Sequence, residues 1–492
     1  MHVDLRPVKK LSEVNVPAAL GPVIDVLSSS PLDLSRLRVV FDWIQYRNNF
    51  REPVDCRPML AGRAPGAEHS GPVEENGLEI GVDLRRCPDL DLTTRLKEVL
   101  AEHNGPGEDG RVVLEPWVSG RESCVWRFNA LYWQALSHWE QVTGQEYEQT
   151  LPGGESDARN TEAAQELILE LFKVWDDLDA RHALPEELYV VELGVGNGNQ
   201  ARTWLDAFVE LDRVHGRDYY RRLHYLMGDY SAHVLERAQR TVAHHSDHIS
   251  ALVLDATRPT VTLGFLRDKA FLVYISNVYD NLPSDEVASI CGHTYLVEVR
   301  AVVREADAER IARQFDASAG MFSMLVDRLL RLGPELLSES LPRHFPDLGQ
   351  AVSFWREVWV ALRLEERYLP LEGLDLYQVA PSLTGEMIRP LLEAEGDIRM
   401  HVSNGAVSSF ADTLPLLHPS GRLLCHDLFV TDRHQYRTGF YGPGKYDGSI
   451  VNWVNGPLLR LVGKRRGFDV RIATFKQRPT ANVKTLTTQV RD

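Results

Sequence analysis

The segment from residue 188 to residue 200 constrains the fold of this chain more than any other. An apolar run of strand length ends at Leu193, and three glycines follow at alternate positions, Gly194, Gly196 and Gly198. A helical pattern of apolar residues begins directly after them. Because glycine has no Cβ and adopts positive φ readily, such a turn lets backbone amides approach a ligand closely. A strand, a glycine-rich turn and a helix in this order predict the ligand-binding turn of an α/β fold.

The spacing of the turn and the acid before it indicate the kind of ligand. The dinucleotide pattern is Gly-x-Gly-x-x-Gly/Ala, but here the third glycine falls one position early, at Gly198. A carboxylate beside the turn suits a ligand with cationic groups and hydroxyls better than a bare phosphate, which favours S-adenosylmethionine over NAD. The predicted contacts with S-adenosylmethionine in this segment are Glu192, Gly194, Gly196 and Gly198. A tight strand-to-helix turn without a ligand is the alternative.

Strand and helix patterns alternate after this turn, which is typical of a parallel α/β sheet. The candidate strands are Tyr189–Leu193, His224–Gly228, Ala251–Leu254, Ala270–Ser276 and Gly421–Cys425. A long stretch, much of it with helical composition, separates the last two strands. We therefore predict an α/β fold with a Rossmann-like sheet and a large helical insertion between its fourth and fifth strands. The insertion is expected to stand over the carboxyl ends of the sheet, where such folds bind ligands.

This insertion also divides the chain. Residues 1–120 are predicted to form an N-terminal α/β extension without a recognised motif, and residues 121–283 the first part of the Rossmann-like domain. Residues 284–415 are predicted to form an inserted, mostly helical, substrate-facing subdomain. Residues 416–492 complete the sheet, with a last strand-helix-strand group from Ser449 to Phe475.

Apolar spacing predicts helices over Asp33–Asn49, Val125–Tyr147 and Thr161–Leu178, and the Pro/Gly content of Glu52–Gly77 predicts a loop. The second of these helices is rich in aromatic residues. Because aromatic residues at helical spacing usually belong to a core, we expect this helix to be buried.

Polar residues follow the second and third predicted strands, at the end of a doubly wound sheet where ligands bind. Asp229 is placed to accept hydrogen bonds from ribose hydroxyls, with Tyr230 and Ser231 beside it. Ser231 can also cap the following helix, and Asp229 can instead act as a charge at the N-terminus of that helix. Asp255 and the backbone of Ala256 are candidates for recognising an adenine ring, with a solvated strand end as the alternative.

The fourth predicted strand leads into the turn from Asn277 to Pro283. Methyl transfer is an in-line displacement, so an enzyme must align the acceptor, exclude water and free the acceptor's lone pair. The predicted catalytic residues are Asn277, Tyr279 and Asp280, and Asn277 is also a predicted cofactor contact. The alternative is a turn stabilised by its own Asn and Asp side chains. The pair His426-Asp427 after the fifth strand is either a general base or a structural pair.

Composition excludes several classes of protein. The 492 residues, 43% hydrophobic and 25% charged, are typical of a globular chain of about three domains or fewer. A net charge of −16 argues against nucleic-acid binding. Five scattered cysteines without a CxxC pair argue against a disulfide framework or a metal cluster. Since the sequence shows no apolar leader and no membrane-length apolar run, we expect a cytoplasmic protein without a metal, nucleic-acid or membrane partner.

The order of these motifs resembles the MidA-like family of class I methyltransferases, whose mitochondrial member methylates an arginine of a respiratory complex I subunit. The family loop E-L-G-x-G-x-G is matched by Glu192–Gly198, and its N-E-x-x-D-A-L-P segment is similar to Asn277–Pro283. The late segments Gly421–Asp427 and Pro443–Ser449 are also similar to the family. The family's acid after the asparagine is Val278 here. Over roughly residues 150–480, the resemblance implies a class I methyltransferase sheet and S-adenosylmethionine as cofactor.

Motifs and resemblance together predict methyl transfer to a nitrogen or oxygen of a protein or peptide side chain, with arginine as one candidate. A small-molecule acceptor is the second hypothesis, and a catalytically silent methyltransferase fold acting as an assembly factor is the third. An exposed groove would favour a protein acceptor, whereas an enclosed cavity would favour a small molecule. A homodimer is left open.

Overall fold

A computed structural model describes residues 1–6, 16–61, 75–86, 90–104, 110–147, 160–394 and 396–491. Up to residue 147 the elements are β1 (His2–Leu5), α1 (Val16–Ser28), β2 (Leu37–Asp42), β3 (Val54–Leu60), β4 (Glu75–Asp83), α2 (Leu92–Asn104), β5 (Arg111–Val113), β6 (Val118–Ser119), α3 (Cys124–Gln134) and α4 (Leu136–Thr143). From residue 160 to residue 276 they are α5 (Thr161–Ala180), β7 (Leu188–Leu193), α6 (Asn199–Val214), β8 (Leu223–Asp229), α7 (Ala232–Thr241), β9 (Ile249–Val253), α8 (Pro259–Leu263) and β10 (Ala270–Ser276).

The second half of the chain begins with the insertion. Its elements are β11 (Glu286–Ile290), β12 (His293–Arg304), α9 (Glu305–Gln314), α10 (Phe322–Ser340), α11 (Leu348–Ala361), β13 (Arg363–Pro370), β14 (Gln378–Ala380), β15 (Leu383–Thr384), α12 (Arg389–Leu392), β16 (Ile398–His401) and α13 (Asn404–Thr413). The chain ends with β17 (Leu417–Asp427), β18 (Phe429–Val430), β19 (Gly444–Tyr446), β20 (Ser449–Val451), β21 (Val454–Asn455), α14 (Gly456–Arg465), β22 (Phe468–Thr474) and β23 (Lys484–Val490). Within the described ranges, no helix combines the length and the apolarity needed to cross a bilayer.

Seven strands form the sheet that the glycine-rich turn belongs to, in the order β22-β23-β17-β10-β7-β8-β9. The five strands from β17 to β9 run parallel, and β23 is antiparallel to both of its neighbours. From β7 the chain moves outward to β8 and β9, and then returns to β10 on the other side of β7. The connections therefore diverge between β7 and β10, which opens a crevice at the carboxyl ends of these strands.

Helices cover both faces of this sheet. Because side chains alternate along a strand, Leu272 and Tyr274 pack with α5 and α6 on one face of β10. Val273 and Ile275 pack with α13 and α14 on the other face. A strand buried on both faces reads as a continuous apolar run, and this is why the sequence predicted Ala270–Ser276 with its observed bounds.

A second sheet joins the N-terminal strands to the insertion. Its order is β1-β2-β4-β3-β13-β12-β11-β16, and β5 and β6 pair with β12 as well. The two parts meet in the parallel pairing of β3 with β13 and in the antiparallel pairing of β5 and β6 with β12. On one side of this sheet, α9, α10 and α11 of the insertion share a core with α3 and α4. The insertion thereby holds the aromatic helices α3 and α4 in place.

Buried charges hold the two parts of the second sheet together. The Nη1 atom of Arg57, on β3, lies 3.0 Å from a carboxylate oxygen of Glu79, and its Nε atom lies 3.3 Å from one of Glu366 on β13. Glu366 also accepts a 2.6 Å hydrogen bond from Arg399 on β16. Burial alone would raise the pKa of Glu366, but the surrounding guanidinium groups of Arg399, Arg51 and Arg57 hold it well below its ordinary value. Glu366 is therefore ionised and depends on these arginines.

The structure corrects several predictions made from the sequence. Asp33–Asn49 contains β2, which is buried along its whole length, so its apolar residues show no alternation that would mark a strand. Glu52–Gly77 contains β3 and the start of β4, with residues 62–74 outside the described ranges. The insertion adds four strands to the second sheet, so residues 1–120 and 284–415 share one sheet instead of forming separate units.

The end of the chain also differs from the prediction. In the group from Ser449 to Phe475, only β22 joins the seven-stranded sheet, because β20 pairs with β19 in a small sheet of its own. The strand β23, which the sequence analysis did not predict, lies between β17 and β22. Its Thr-rich sequence lacks the apolar run of the other central strands.

Replacing Arg57 by methionine should destabilise the protein strongly. The change removes one of the cations that pair with Glu79 and Glu366, and it removes the guanidinium that lies 2.8 Å from Asp55. Breaking a buried pair typically costs about 3–5 kcal/mol. Urea unfolding measures this loss. The matched control is Arg213→Met, because Arg213 pairs with Glu210 on the surface and exposed pairs contribute about 1 kcal/mol or less. Equal losses in the two variants would contradict the importance of the buried charges.

Candidate functional site

A cavity of about 450 Å³ lies at the carboxyl ends of β7, β8, β9 and β10, beside the point where the chain connections diverge. This volume is in the range of small-molecule sites. Residues from the glycine-rich turn, the three following strand ends and helices α3 and α4 line it. Of the residues predicted from the sequence to contact a ligand, the wall contains Glu192, Gly194, Gly196, Asp229, Tyr230, Asp255, Ala256 and Asn277.

The three glycines of the turn adopt positive φ but have different surroundings. A Cβ on Gly194 would lie 2.3 Å from Cγ2 of Val278, and one on Gly198 would lie 2.8 Å from Cα of Ala238 on α7. Gly198 therefore permits close packing of α6 on α7, and it does not line the cavity. A Cβ on Gly196, at φ +56°, would meet no protein atom within 4 Å. Gly196 is thus the glycine that leaves room for a ligand.

Glu192 ends β7 with its side chain buried at the base of the cavity. Its Oε2 accepts a 2.7 Å hydrogen bond from the hydroxyl of Tyr225. Burial, together with the nearby charge of Asp229, raises the pKa of Glu192 to about 8, although the Tyr225 hydrogen bond opposes this rise. A carboxyl group that is costly to ionise here would be stabilised as an anion by a cationic ligand.

Asp229, at the end of β8, is fixed by the backbone of the turns on either side. Its Oδ2 accepts a 3.2 Å hydrogen bond from the amide of Gly196, and its Oδ1 accepts one of 3.1 Å from the amide of Ser231. Burial raises the pKa of Asp229, and these amide hydrogen bonds partly offset the rise. The carboxylate is therefore oriented into the cavity and coupled to the conformation of the glycine-rich turn.

The neighbours of Asp229 divide into two roles. Tyr230 is exposed and lines the cavity. Ser231 is buried and caps α7, with its side chain accepting a hydrogen bond from the amide of Val234. The structure thus places Ser231 behind the cavity wall, in the capping role that the sequence left open.

At the end of β9, Asp255 and Ala256 lie on the cavity wall. Oδ1 of Asp255 accepts 2.8 Å hydrogen bonds from both the amide and the hydroxyl of Thr257. These bonds hold the local turn and orient the carboxylate next to the cavity.

Of the three predicted catalytic residues in the turn after β10, one lines the cavity and two do not. Asn277 adopts φ +52°, a region that asparagine tolerates, and lines the cavity. Tyr279 and Asp280 are buried beneath the turn and do not line the cavity. The short 3₁₀ turn at Tyr279–Asn281 rotates them away, and Asn281, Leu282 and Pro283 take their place on the wall.

Asp280 and Asp427 support this turn from below. Oδ2 of Asp427 accepts a 2.8 Å hydrogen bond from the amide of Tyr279, and Asp280 accepts one of 2.8 Å from the side chain of Asn281. Burial raises the pKa of Asp280 to about 7 and raises that of Asp427 well above its ordinary value. His426, whose pKa burial lowers to about 4, packs beside Phe475. Asp427 and His426 are thus structural.

Helices α3 and α4 supply the wall opposite the sheet, and sequence reasoning did not place them in a site. Trp126, Trp133 and Leu136 line the cavity. Asn129 fixes α3 to the turn after β10, because its side chain donates a 2.9 Å hydrogen bond to the carbonyl of Asn281. The aromatic content of Val125–Tyr147 was the signal available from the sequence, although it also fits a buried helix.

A group of three charged side chains also lines the cavity. Arg237 of α7 pairs with Glu140 and Glu146, each at a nitrogen-to-oxygen distance of 3.1 Å. The ring of Tyr147 stands edge-on to Trp133, with 5.0 Å between ring centroids. This arrangement offers a polar and aromatic surface to a bound molecule.

No protein-family model and no curated protein matches this sequence. Among solved structures, a protein from Burkholderia thailandensis bound to S-adenosyl-homocysteine aligns with 80% of this chain and 91% of its own, at 13% identity and a TM-score of 0.43. The CcbJ methyltransferase from Streptomyces caelestis aligns with 74% of this chain and 99% of its own, at 10% identity and a TM-score of 0.32. The DszA carbon methyltransferase aligns with 90% and 84%, at 11% identity and a TM-score of 0.32. At such low values the likeness establishes no family, so the evidence for a ligand is the cavity itself.

Replacing Glu192 by glutamine should make the ligand-free protein more stable at pH 8 than the wild type. The ordinary pKa of 4.5 applies in the unfolded chain and a pKa of about 8 in the folded one. Between these values the folded state binds more protons, so wild-type stability falls as the pH rises. We expect the variant's melting temperature to exceed that of the wild type by about 3 °C or more at pH 8, with a smaller difference at pH 5.

The control for this measurement is Glu236→Gln, which removes an exposed carboxylate of α7 and should show no pH-dependent difference from the wild type. A Glu192→Gln variant that is less stable than the wild type at pH 8 would contradict the assignment of Glu192 as a strained, functional acid.

Proposed function

We propose that this chain is a methyltransferase that uses S-adenosylmethionine and methylates a nitrogen or oxygen of a small organic molecule. The observation that carries the proposal is the convergence of three acidic side chains and an open glycine on one cavity. Glu192, Asp229 and Asp255 end three adjacent parallel strands, and Gly196 leaves space between them.

The residues present fit S-adenosylmethionine. Glu192 and the amides of the glycine-rich turn suit the cationic amino acid part, and Asp229 suits a ribose diol, since a carboxylate accepts hydrogen bonds from two hydroxyls. Asp255 and the backbone of Ala256 suit the adenine. When bound, S-adenosylmethionine supplies an electrophilic methyl group on a sulfonium. The cavity lacks the cluster of basic side chains that a dinucleotide's phosphates would favour, with Arg237 the single cation among its described lining residues.

The protein's own residues would then align an acceptor and exclude water. Asn277 lines the cavity together with residues of α3, so its amide can orient an acceptor group. No histidine is among the described lining residues. A carboxylate is therefore the base available to take the acceptor's proton. Tyr279 and Asp280 contribute by holding the turn that carries Asn277.

The shape of the site favours a small acceptor over the protein side chain predicted from the sequence. Trp126, Trp133 and Leu136 form an apolar wall of the cavity, and the Glu140–Arg237–Glu146 group also lines it. An apolar, aromatic wall with a few polar groups is the usual lining of a small-molecule site.

Membership of the MidA-like family belongs to the same proposal. The seven-stranded sheet with one reversed strand supports a class I methyltransferase fold, and the glycine-rich turn supports the family's cofactor. Arginine methylation receives less support, because Val278 occupies the position of the family's acid and Asp280 lies beneath the turn.

Replacing Gly196 by alanine should weaken binding of S-adenosylhomocysteine at least tenfold, which corresponds to about 1.4 kcal/mol. The new methyl group would stand in the space left for the ligand. The matched control is Gly216→Ala, because Gly216 has a similar φ of +60° and open space around it on the surface. Both changes carry a similar backbone cost of about 1 kcal/mol. Calorimetry that finds equal affinities in the two variants would contradict the assignment of the cavity.

Transfer of a labelled methyl group from S-adenosylmethionine tests the reaction and the acceptor together. Purified protein is incubated with a cell extract, which is then separated into small molecules and proteins. We expect label in the small-molecule fraction with the wild type and with Gly216→Ala, and far less with Gly196→Ala. Label found only in the protein fraction would instead support the hypothesis of a protein acceptor. Cofactor binding without any transfer would favour the silent fold.

A further inference from the structure

Away from the cavity, three potential metal ligands meet where α6 packs against the chain that follows α7. Asp206 lies on α6, and His244 and His245 lie in the 3₁₀ segment Ala243–His248 that leads into β9. Their ligand atoms all lie within 4.8 Å of one another. None of the three lines the cavity, and no step of the proposed methyl transfer involves them.

Both imidazole rings point at the same carboxylate oxygen. The Nε2 atom of His244 lies 2.8 Å from Oδ1 of Asp206, and the Nε2 atom of His245 lies 3.1 Å from it. If these contacts were only hydrogen bonds, each ring could use a different oxygen of the Asp206 carboxylate. Because both ring nitrogens face one oxygen, three potential metal ligands lie close together, as the binding of a cation requires.

The surroundings fix the buried histidine of the set. The Nδ1 atom of His245 lies 2.6 Å from the hydroxyl of Tyr220. Histidines that bind metals usually engage their second ring nitrogen in such a bond, which sets the ring orientation and the tautomer. His245 is buried, whereas Asp206 and His244 are about half exposed. A cation can therefore reach the site from solvent and keep a water molecule as a further ligand.

The distances suit zinc. In a tetrahedral site with metal-to-ligand bonds of about 2.0–2.1 Å, neighbouring ligand atoms are about 3.3 Å apart. Each ring nitrogen, which lies 2.8 or 3.1 Å from the carboxylate oxygen, would need to move away from that oxygen by only about 0.2–0.5 Å. Two imidazoles and a carboxylate form a nitrogen and oxygen donor set that favours zinc over calcium or magnesium.

We propose that Asp206, His244 and His245 bind a zinc ion, with water completing the coordination. This departs from the expectation of no metal, because Asp206 and the two histidines are distant in sequence and no motif links them. The ion would tie α6 to the segment between α7 and β9. Both helices contribute to the cavity through Gln200, Val234 and Arg237, so the ion would stabilise the scaffold that carries them.

The test is zinc titration of metal-free, tag-free protein in a Cys291→Ser background, which removes an exposed thiol that would compete for zinc. We expect one equivalent of zinc to bind and to raise the melting temperature, because binding to the folded state alone stabilises it. His244→Ala and Asp206→Ala should each weaken binding about tenfold or more. Both residues are exposed, so neither change should prevent folding.

The matched control is His233→Ala, which removes an exposed histidine at the start of α7 and should leave zinc affinity unchanged. Cobalt in place of zinc should give the intense visible absorption of a four-coordinate ion, and this absorption should be lost in His244→Ala. Wild type and His244→Ala that bind zinc equally well, or a wild type that does not bind it, would overturn the proposal. The result is independent of S-adenosylhomocysteine binding, which is measured separately.

Discussion

The divergence of chain connections between β7 and β10 is the constraint from which the site follows. The strands β8 and β9 lie on one side of β7, and β10 lies on the other. The described connections after β7 and β10 therefore lead in opposite directions and leave a crevice at the carboxyl ends of these two strands. Four strand ends can then present short polar side chains to one cavity. Glu192 and Asp229 are held there at a cost in ionisation, which burial imposes and which a cationic, hydroxyl-bearing ligand would relieve.

The second sheet supports the wall of the cavity that α3 and α4 form. Its N-terminal strands and the inserted strands are joined by the Arg57–Glu366–Arg399 charges, and its helices pack on α3 and α4. The aromatic wall of Trp126 and Trp133 therefore depends on chain segments that contain no motif of their own. In the proposed function, the seven-stranded sheet would bind the cofactor, and the layer that contains α3 and α4 would contact the acceptor.

Local sequence patterns predicted the parts of the structure that local physics determines. The strand ends at Glu192, Asp229 and Asp255 follow from apolar runs and the polar residues after them, because parallel strands bring these ends to one edge. The orientation of Tyr279 and Asp280 could not be predicted, since a single 3₁₀ turn decides which side chains face the cavity. The pairing of β3 with β13 was also hidden, because the paired residues Met59 and Tyr368 lie far apart in the sequence and no local pattern links them.

The hydrogen bonds of Asn129 have a consequence for folding during synthesis. Its side chain bridges the carbonyl of Asn281 and, through its oxygen, the amide of Ile450. One wall of the cavity is thus anchored to a residue near the end of the chain, and the central strand β17 gains its partner β23 only from the last residues. During synthesis from the N-terminus, the glycine-rich turn emerges long before these contacts can form. A nascent chain therefore carries the glycine-rich turn well before it can form the hydrogen bond between Asn129 and Ile450 that anchors this wall.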